Sequence, residues 1–168
     1  MAEGYIKEAR QKIAATLKVD PKELIITSGG TESNNMALIG TALAAKRKGN
    51  HIITTAVEHP SVKATASFLE EQGFRITFLS VDSRGQISLE ELKEALTPDT
   101  ILVSIMYVNN EIGTIQPIEE AAKLVHATVP GAVFHVDAIQ AYGKVVIRPK
   151  QQGIDLLSVS SHKFHGPK

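Results

Sequence analysis

ILVSIMYVNNEIGTIQPIEEAAKLVHATVPGAVFHVDAIQ, residues 101–140, is the stretch whose reading decides the fold. Ile101 to Tyr107 is a short β-rich run, and Val133 to Val136 is another. Between them, Ile118 to Val129 carries apolar residues at helical spacing, with Pro117 where a helix can begin. Strand, helix, strand is the pattern of a parallel pair, because parallel strands need a long crossover and a helix is the usual one.

The same alternation extends outward in both directions. Further β-rich runs lie at Leu24 to Thr27, Ile52 to Thr55, Arg75 to Leu79 and Leu156 to Val159. Helical periodicity falls near Ser33 to Lys48, Ser61 to Gln72 and Ser88 to Leu96. Ser88 with Glu91 fits a capping box, Pro60 sits at a helix start, and Gly49 and Gly73 sit at helix ends. Ile6, Ala9, Ile13 and Leu17 give a first amphipathic helix, stopped by Val19, Asp20 and Pro21. The fold class is therefore α/β: three layers, a mainly parallel sheet with helices on both faces.

With 168 residues, 43% of them hydrophobic, the chain builds one core and one domain, residues 1–168. Eighteen basic side chains balance eighteen acidic ones, so no net field draws it to nucleic acid or to an anionic membrane. No uncharged stretch approaches membrane-spanning length, and Met1 to Arg10 does not read as a secretory signal. The absence of cysteine excludes disulfides and thiolate metal sites within these residues, and the reading is cytoplasmic.

Ligands of such sheets bind beyond the carboxyl ends of the strands. Four of the six expected strands are followed there by polar clusters: TSGGTESNN from Thr27, TAVEHPS from Thr55, NNEIG from Asn109 and SSHKFHGPK from Ser160. A fifth places Asp137 and Gln140 just past Val136. Gly29 and Gly30 permit a tight turn into a helix opened by Thr31, whose free amides and positive dipole end suit a phosphate. An ordinary glycine turn with Thr31 or Ser33 as N-cap is equally open at this point, since neither the Walker lysine nor GxGxxG spacing is present. Asp137, closing an apolar strand, needs a cationic or hydrogen-bonding partner, as either a ligand group or a structural carboxylate would. Lys163 lies among small, polar and aromatic residues and is a candidate nucleophile, against the ordinary solvated lysine. His59, between Glu58 and Pro60, is a candidate acid or base, or else a helix cap. His59, His162 and His165 form no helical pair with metal-ligand spacing, so no metal is expected. His51, His126 and His135 read as strand or helix-surface positions without a role.

Taken in order, TSGGTESNN, EHPSV, VNNEIGTIQPI, HVDAIQAYGK and SSHKFHGPK closely resemble the cysteine desulfurases of the iron–sulfur assembly type, in the class V aminotransferase family. The resemblance runs from about Ala9 to Lys168. It implies the large domain of a pyridoxal 5'-phosphate enzyme, with Lys163 holding the cofactor covalently and moving the substrate's α-proton. It further implies Asp137 against the pyridine nitrogen, Gln140 and Asn110 near the ring oxygen, and His59 stacked on the ring as the acid or base. Gly30, Thr31, Ser160 and His162 are implied as the phosphate cradle.

The implied reaction takes L-cysteine to L-alanine and passes the sulfur to a protein thiolate, for a sulfur-acceptor or scaffold protein. No such thiol is present in the chain. The family's smaller C-terminal domain and its arginine for the substrate carboxylate are expected beyond the GPK segment, which makes this sequence a fragment of a protein expected to be a homodimer. The alternatives are a related lyase or aminotransferase of the same fold, such as a selenocysteine lyase, or an inactive fragment that acts only as a binding module.

Overall fold

The computed structural model describes residues 2–166; Met1, and the Pro167 and Lys168 that close the SSHKFHGPK stretch, lie outside the described residues. The chain opens with helix α1 (Ala2–Leu17), then a 3-10 turn at Pro21–Glu23, helix α2 (Gly30–Ala45) and strand β1 (His51–Thr55). Helix α3 (Pro60–Glu71), strand β2 (Arg75–Leu79), helix α4 (Leu89–Ala95) and strand β3 (Thr100–Met106) follow. Helix α5 (Ile118–Thr128), strand β4 (Val133–Asp137), the single turn α6 (Pro149–Gln152) and strand β5 (Leu156–Ser158) lead to a last 3-10 turn, Ser161–Lys163.

The five strands form one parallel sheet in the order β2-β1-β3-β4-β5. Side chains alternate across it. Val103, Ile105, Phe134 and Val136 enter one core with Leu92 of α4 and Ala121, Ala122 and Val125 of α5. Ile52 and Leu102 enter the other with Leu38 and Ala42 of α2 and Val62 and Leu69 of α3. Helices thus cover both faces, as the alternation requires. The topology reverses between β1 and β3, where the loops after those strands part.

Four local readings are corrected. Leu24 to Thr27 is no strand: among the described residues it pairs with no other segment, and Ile25 and Ile26 remain exposed. His51 and His135 are not surface positions but fully buried. His135 shares the α2 face of β4 with Asp137, and its two ring nitrogens meet Ser104 Oγ at 2.8 Å and Ser158 Oγ at 2.9 Å. Burial pushes its pKa down to about 3, so the ring is neutral. His51 is satisfied in the same way by Thr100 and Thr77, each at 2.8 Å. Ser88 caps α4 through Glu91 N at 3.2 Å, yet the Glu91 carboxylate turns to Ser80 instead of completing the box. Neither Thr31 nor Ser33 caps α2; its N-cap is Gly29.

Gly49, in the turn out of α2, has no room for a side chain: a Cβ there would lie 2.2 Å from the backbone oxygen of Asp99. A backbone atom cannot swing aside as a side-chain tip can. Gly49→Ala is therefore expected to lower stability by about 1–3 kcal/mol, read as a lower urea midpoint at unchanged slope; an unchanged midpoint would contradict the packing described.

Candidate active site

The carboxyl ends of β1, β3, β4 and β5 gather the polar clusters at one edge of the sheet, as parallel strands must. Asp137 is the last residue of β4 and is buried there. Its Oδ1 accepts from Ile139 N at 3.0 Å and its Oδ2 from Asn34 Nδ2 at 2.8 Å. Burial raises its pKa, opposed by those two hydrogen bonds and by the charge of His59. No lysine, arginine or histidine among the described residues forms an ion pair with it.

Asn34 continues from Asp137 toward β1. Its Nδ2 also donates to Ser61 Oγ at 3.1 Å, and Ser61 Oγ lies 2.8 Å from His59 Nδ1. His59 is the N-cap of α3, accepting from Ser61 N at 3.1 Å. The cap reading and the site reading of His59 thus hold at once: the cap fixes the ring where the Asp137 network reaches it.

The first turn of α2 lies on the β5 side. A Cβ on Gly30 would sit 2.3 Å from Ile139 Cδ1 and 3.7 Å from Ser160 Cβ. Glycine lets the helix start come this close with the Ile139 side chain left in place. The first intrahelical bond runs from Ser33 N to Gly29 O at 3.0 Å, so the amides before it point out of the helix end. Ser160 Oγ lies 2.8 Å from His162 Nδ1, and both line the same open groove as Gly29 and Gly30.

Two residues without an assigned role from sequence stiffen the loops. Glu58 is buried, and its Oε1 accepts from Thr55 Oγ1 at 2.8 Å and from Met106 N at 2.9 Å, tying the loop after β1 to the end of β3. Its Oε2 has no hydrogen-bond partner among the described residues. Burial pushes its pKa up to about 8, with Asp137 adding to the rise and the two hydrogen bonds opposing it. Asn109 donates to Val57 O at 3.0 Å and accepts from Glu111 N and Ile112 N, which fixes the loop after β3 against the loop after β1.

The structure therefore brings Asp137 and His59 together through Asn34 and Ser61, and Gly30 together with Ser160 and His162. Thr31 and Asn110 are exposed, and Gln140 is half-buried and accepts from Lys144 Nζ at 3.2 Å. Lys163 is exposed at the end of the last 3-10 turn, beside Tyr142, Gly143 and Phe164. That turn is pinned by the edge-on contact of Phe164 with Tyr142, ring centres 4.8 Å apart. None of these four residues hydrogen-bonds Asp137. Among the described residues there is no cluster of groups fit to hold a metal ion, and no helix is long and apolar enough to cross a membrane.

The family model described as "Aminotransferase class-V" matches residues 1–168. The chain belongs to the class-V aminotransferase family. It is 51% identical over 160 residues to "Cysteine desulfurase IscS" of Clostridium botulinum (strain Kyoto / Type A2), covering 95% of this chain and 40% of that protein. It is 53% identical over 164 residues to "Putative cysteine desulfurase IscS 1" of Bacillus subtilis (strain 168), covering 98% of this chain and 43% of that protein. A solved "NIFS-LIKE PROTEIN" superposes with a TM-score of 0.96 at 42% identity, over 99% of this chain and 46% of that one. The chain thus spans less than half the length of the relatives it matches.

The family's cofactor is pyridoxal 5'-phosphate, and the site meets its two ends. A buried carboxylate without a cationic partner among the described residues suits a protonated ring nitrogen, and a glycine-opened helix end beside Ser160 and His162 suits the phosphate.

Glu58 gives a pH signature. Its folded-state pKa lies above the ordinary 4.5, so the folded chain holds a proton that the unfolded chain releases across the interval up to about 8. The stability this contributes is fully present below pH 4.5 and is lost as the pH rises through about 8. Glu58→Gln, with an uncharged group of the same shape, is expected to flatten the fall in urea midpoint over that interval. A decline equally steep in the variant would assign the pH dependence elsewhere.

Proposed function

We propose that this chain is the cofactor-binding part of a pyridoxal-phosphate cysteine desulfurase that converts L-cysteine to L-alanine and supplies sulfur for iron–sulfur cluster assembly. The observation that carries the reading is Asp137: a carboxylate buried at a strand end, held by Asn34 and Ile139, with no cation paired to it among the described residues. Bound here, pyridoxal phosphate supplies an electron sink for charge developing at the substrate's α-carbon.

The chain's own residues divide the remaining work. Asp137 holds a proton on the ring nitrogen, and Gln140 and Asn110 serve the ring oxygen. The amides of Gly30 and Thr31, with Ser160 and His162, bind the phosphate. His59 would lie over the ring, and the Lys163 amine would anchor the cofactor and move the α-proton. The 168 residues hold no cysteine, so the thiolate that takes the sulfur is supplied from outside them. Names among the relatives support this reading: cysteine desulfurases of bacteria, a mitochondrial one of Eremothecium gossypii at 52% identity, and a solved "SspA in complex with cysteine" at 42%. A cytoplasmic homodimer that hands sulfur to an acceptor protein completes the proposal.

Titration with pyridoxal phosphate, followed by borohydride reduction and peptide mapping, tests it. One cofactor per chain with the label on Lys163 is expected, and Asp137→Ala is expected to weaken binding by about 30-fold or more, the cost of removing one partner of a buried charge pair. Label scattered over surface lysines, or undiminished binding by the Asp137 variant, would sink the reading.

A further inference from the structure

The four hydrogen bonds from Asp137 to His59 have only one consistent direction. Ser61 N–H can only donate, and it points at His59 Nδ1 at 3.1 Å, so Nδ1 carries a lone pair. The neutral ring must then bear its proton on Nε2. Both protons of Asn34 Nδ2 are committed, one to Asp137 Oδ2 at 2.8 Å and one to Ser61 Oγ at 3.1 Å. Ser61 Oγ receives that proton and turns its own toward Nδ1, 2.8 Å away.

The amide orientation is fixed by its neighbour. Turned over, Asn34 would aim its oxygen at the Asp137 carboxylate and lose both donations. In the orientation it adopts, Oδ1 is buried without a hydrogen-bond partner among the described residues. An unmet buried acceptor costs about 1–3 kcal/mol, a penalty accepted at a residue that is itself fully buried on α2.

We propose that Asn34 and Ser61 are positioning residues that tie the Asp137 carboxylate to His59 and hold its imidazole as the Nε2–H tautomer. In this pose His59 presents a hydrogen-bond donor, not a base: a proton arriving at Nδ1 would have to displace the Ser61 N–H that caps α3. What the ring faces rests on the cofactor reading above; the tautomer itself does not, and it is measured in the chain without cofactor.

The test is long-range 15N–1H correlation on the 168-residue chain with labelled histidine rings, at about pH 8, above the ordinary titration range of histidine. His59→Asn assigns the His59 signals. The expected wild-type pattern is a protonated Nε2 and a lone-pair Nδ1 with the widest separation between their shifts. Ser61→Ala leaves the backbone N–H as the only donor to Nδ1, and the two shifts are expected to move part of the way toward the averaged values of a free imidazole, while Ser61→Thr restores them. Asn34→Asp reverses the polarity of the chain, drawing the Ser61 hydroxyl away from the ring, and is expected to shift His59 in the same sense. Unaltered His135 signals show that the fold is kept. A ring protonated on Nδ1, a wild-type ring already averaged, or shifts indifferent to Ser61→Ala in a folded chain would overturn the proposal. Labelling at Lys163 is read separately, so failure of the tautomer and failure of the cofactor reading are told apart.

Discussion

A carboxylate taken out of water at the end of a parallel strand has to be compensated, and most of the site follows from how Asp137 is. Hydrogen bonds to both oxygens favour its ionised form while burial opposes it, and burial prevails in the direction of the pKa. Such a group is costly to a fold that uses it only as structure. It becomes useful when a ligand brings the missing positive charge, which is why its position at the carboxyl edge, beside a helix end fit for an anion, carries more weight than any single motif.

Glu58 shows the opposite use of the same chemistry. It is buried near Asp137, but one of its oxygens is met by Thr55 and Met106 and the other by nothing among the described residues. Its pKa of about 8 keeps it mostly protonated near neutrality, partly because Asp137 is close. Burial raises both carboxyl groups, and a neutral Glu58 leaves Asp137 without a like charge competing for the same cation. The residue beside His59 in the sequence serves as the hinge pin of its loop, joining the ends of β1 and β3 across the reversal in topology.

Much of this was legible in the sequence. The periodicities located α2 to α5 and all five strands to within a few residues, because in a parallel sheet covered on both faces the apolar pattern and the architecture have the same cause. Leu24 to Thr27 was misread since β-rich composition states what a segment would do beside a partner, not whether one is there. His135 was misread as a surface position because a single strand does not reveal that serines on both neighbours will meet its ring. Asn34, Ser61, Asn109 and Glu58 escaped for a related reason: their roles are long-range. Asn34 alone left a trace. It shares a spacing of four with Leu38 and Ala42, the buried stripe of α2, and a polar residue on such a stripe must have a polar partner.

That stripe also explains how the two ends of the site keep their separation. Ser33 and Asn34 are consecutive residues of α2, and each reaches a different strand: Ser33 Oγ donates to Ser158 Oγ of β5 at 3.0 Å, and Asn34 to Asp137 of β4. His135 closes the cross-link by bonding Ser158 as well as Ser104 of β3, so the first turn of the helix is registered against three neighbouring strands by side-chain hydrogen bonds. The amides of Gly30 lie on that same turn. A helix end fixed in this way cannot drift along the sheet without breaking buried hydrogen bonds, each of which leaves an unmet group behind. The opening turn of α2 and the carboxylate of Asp137 are therefore set at one distance before any ligand arrives, and the Asn34 that sets it is the residue through which His59 is reached.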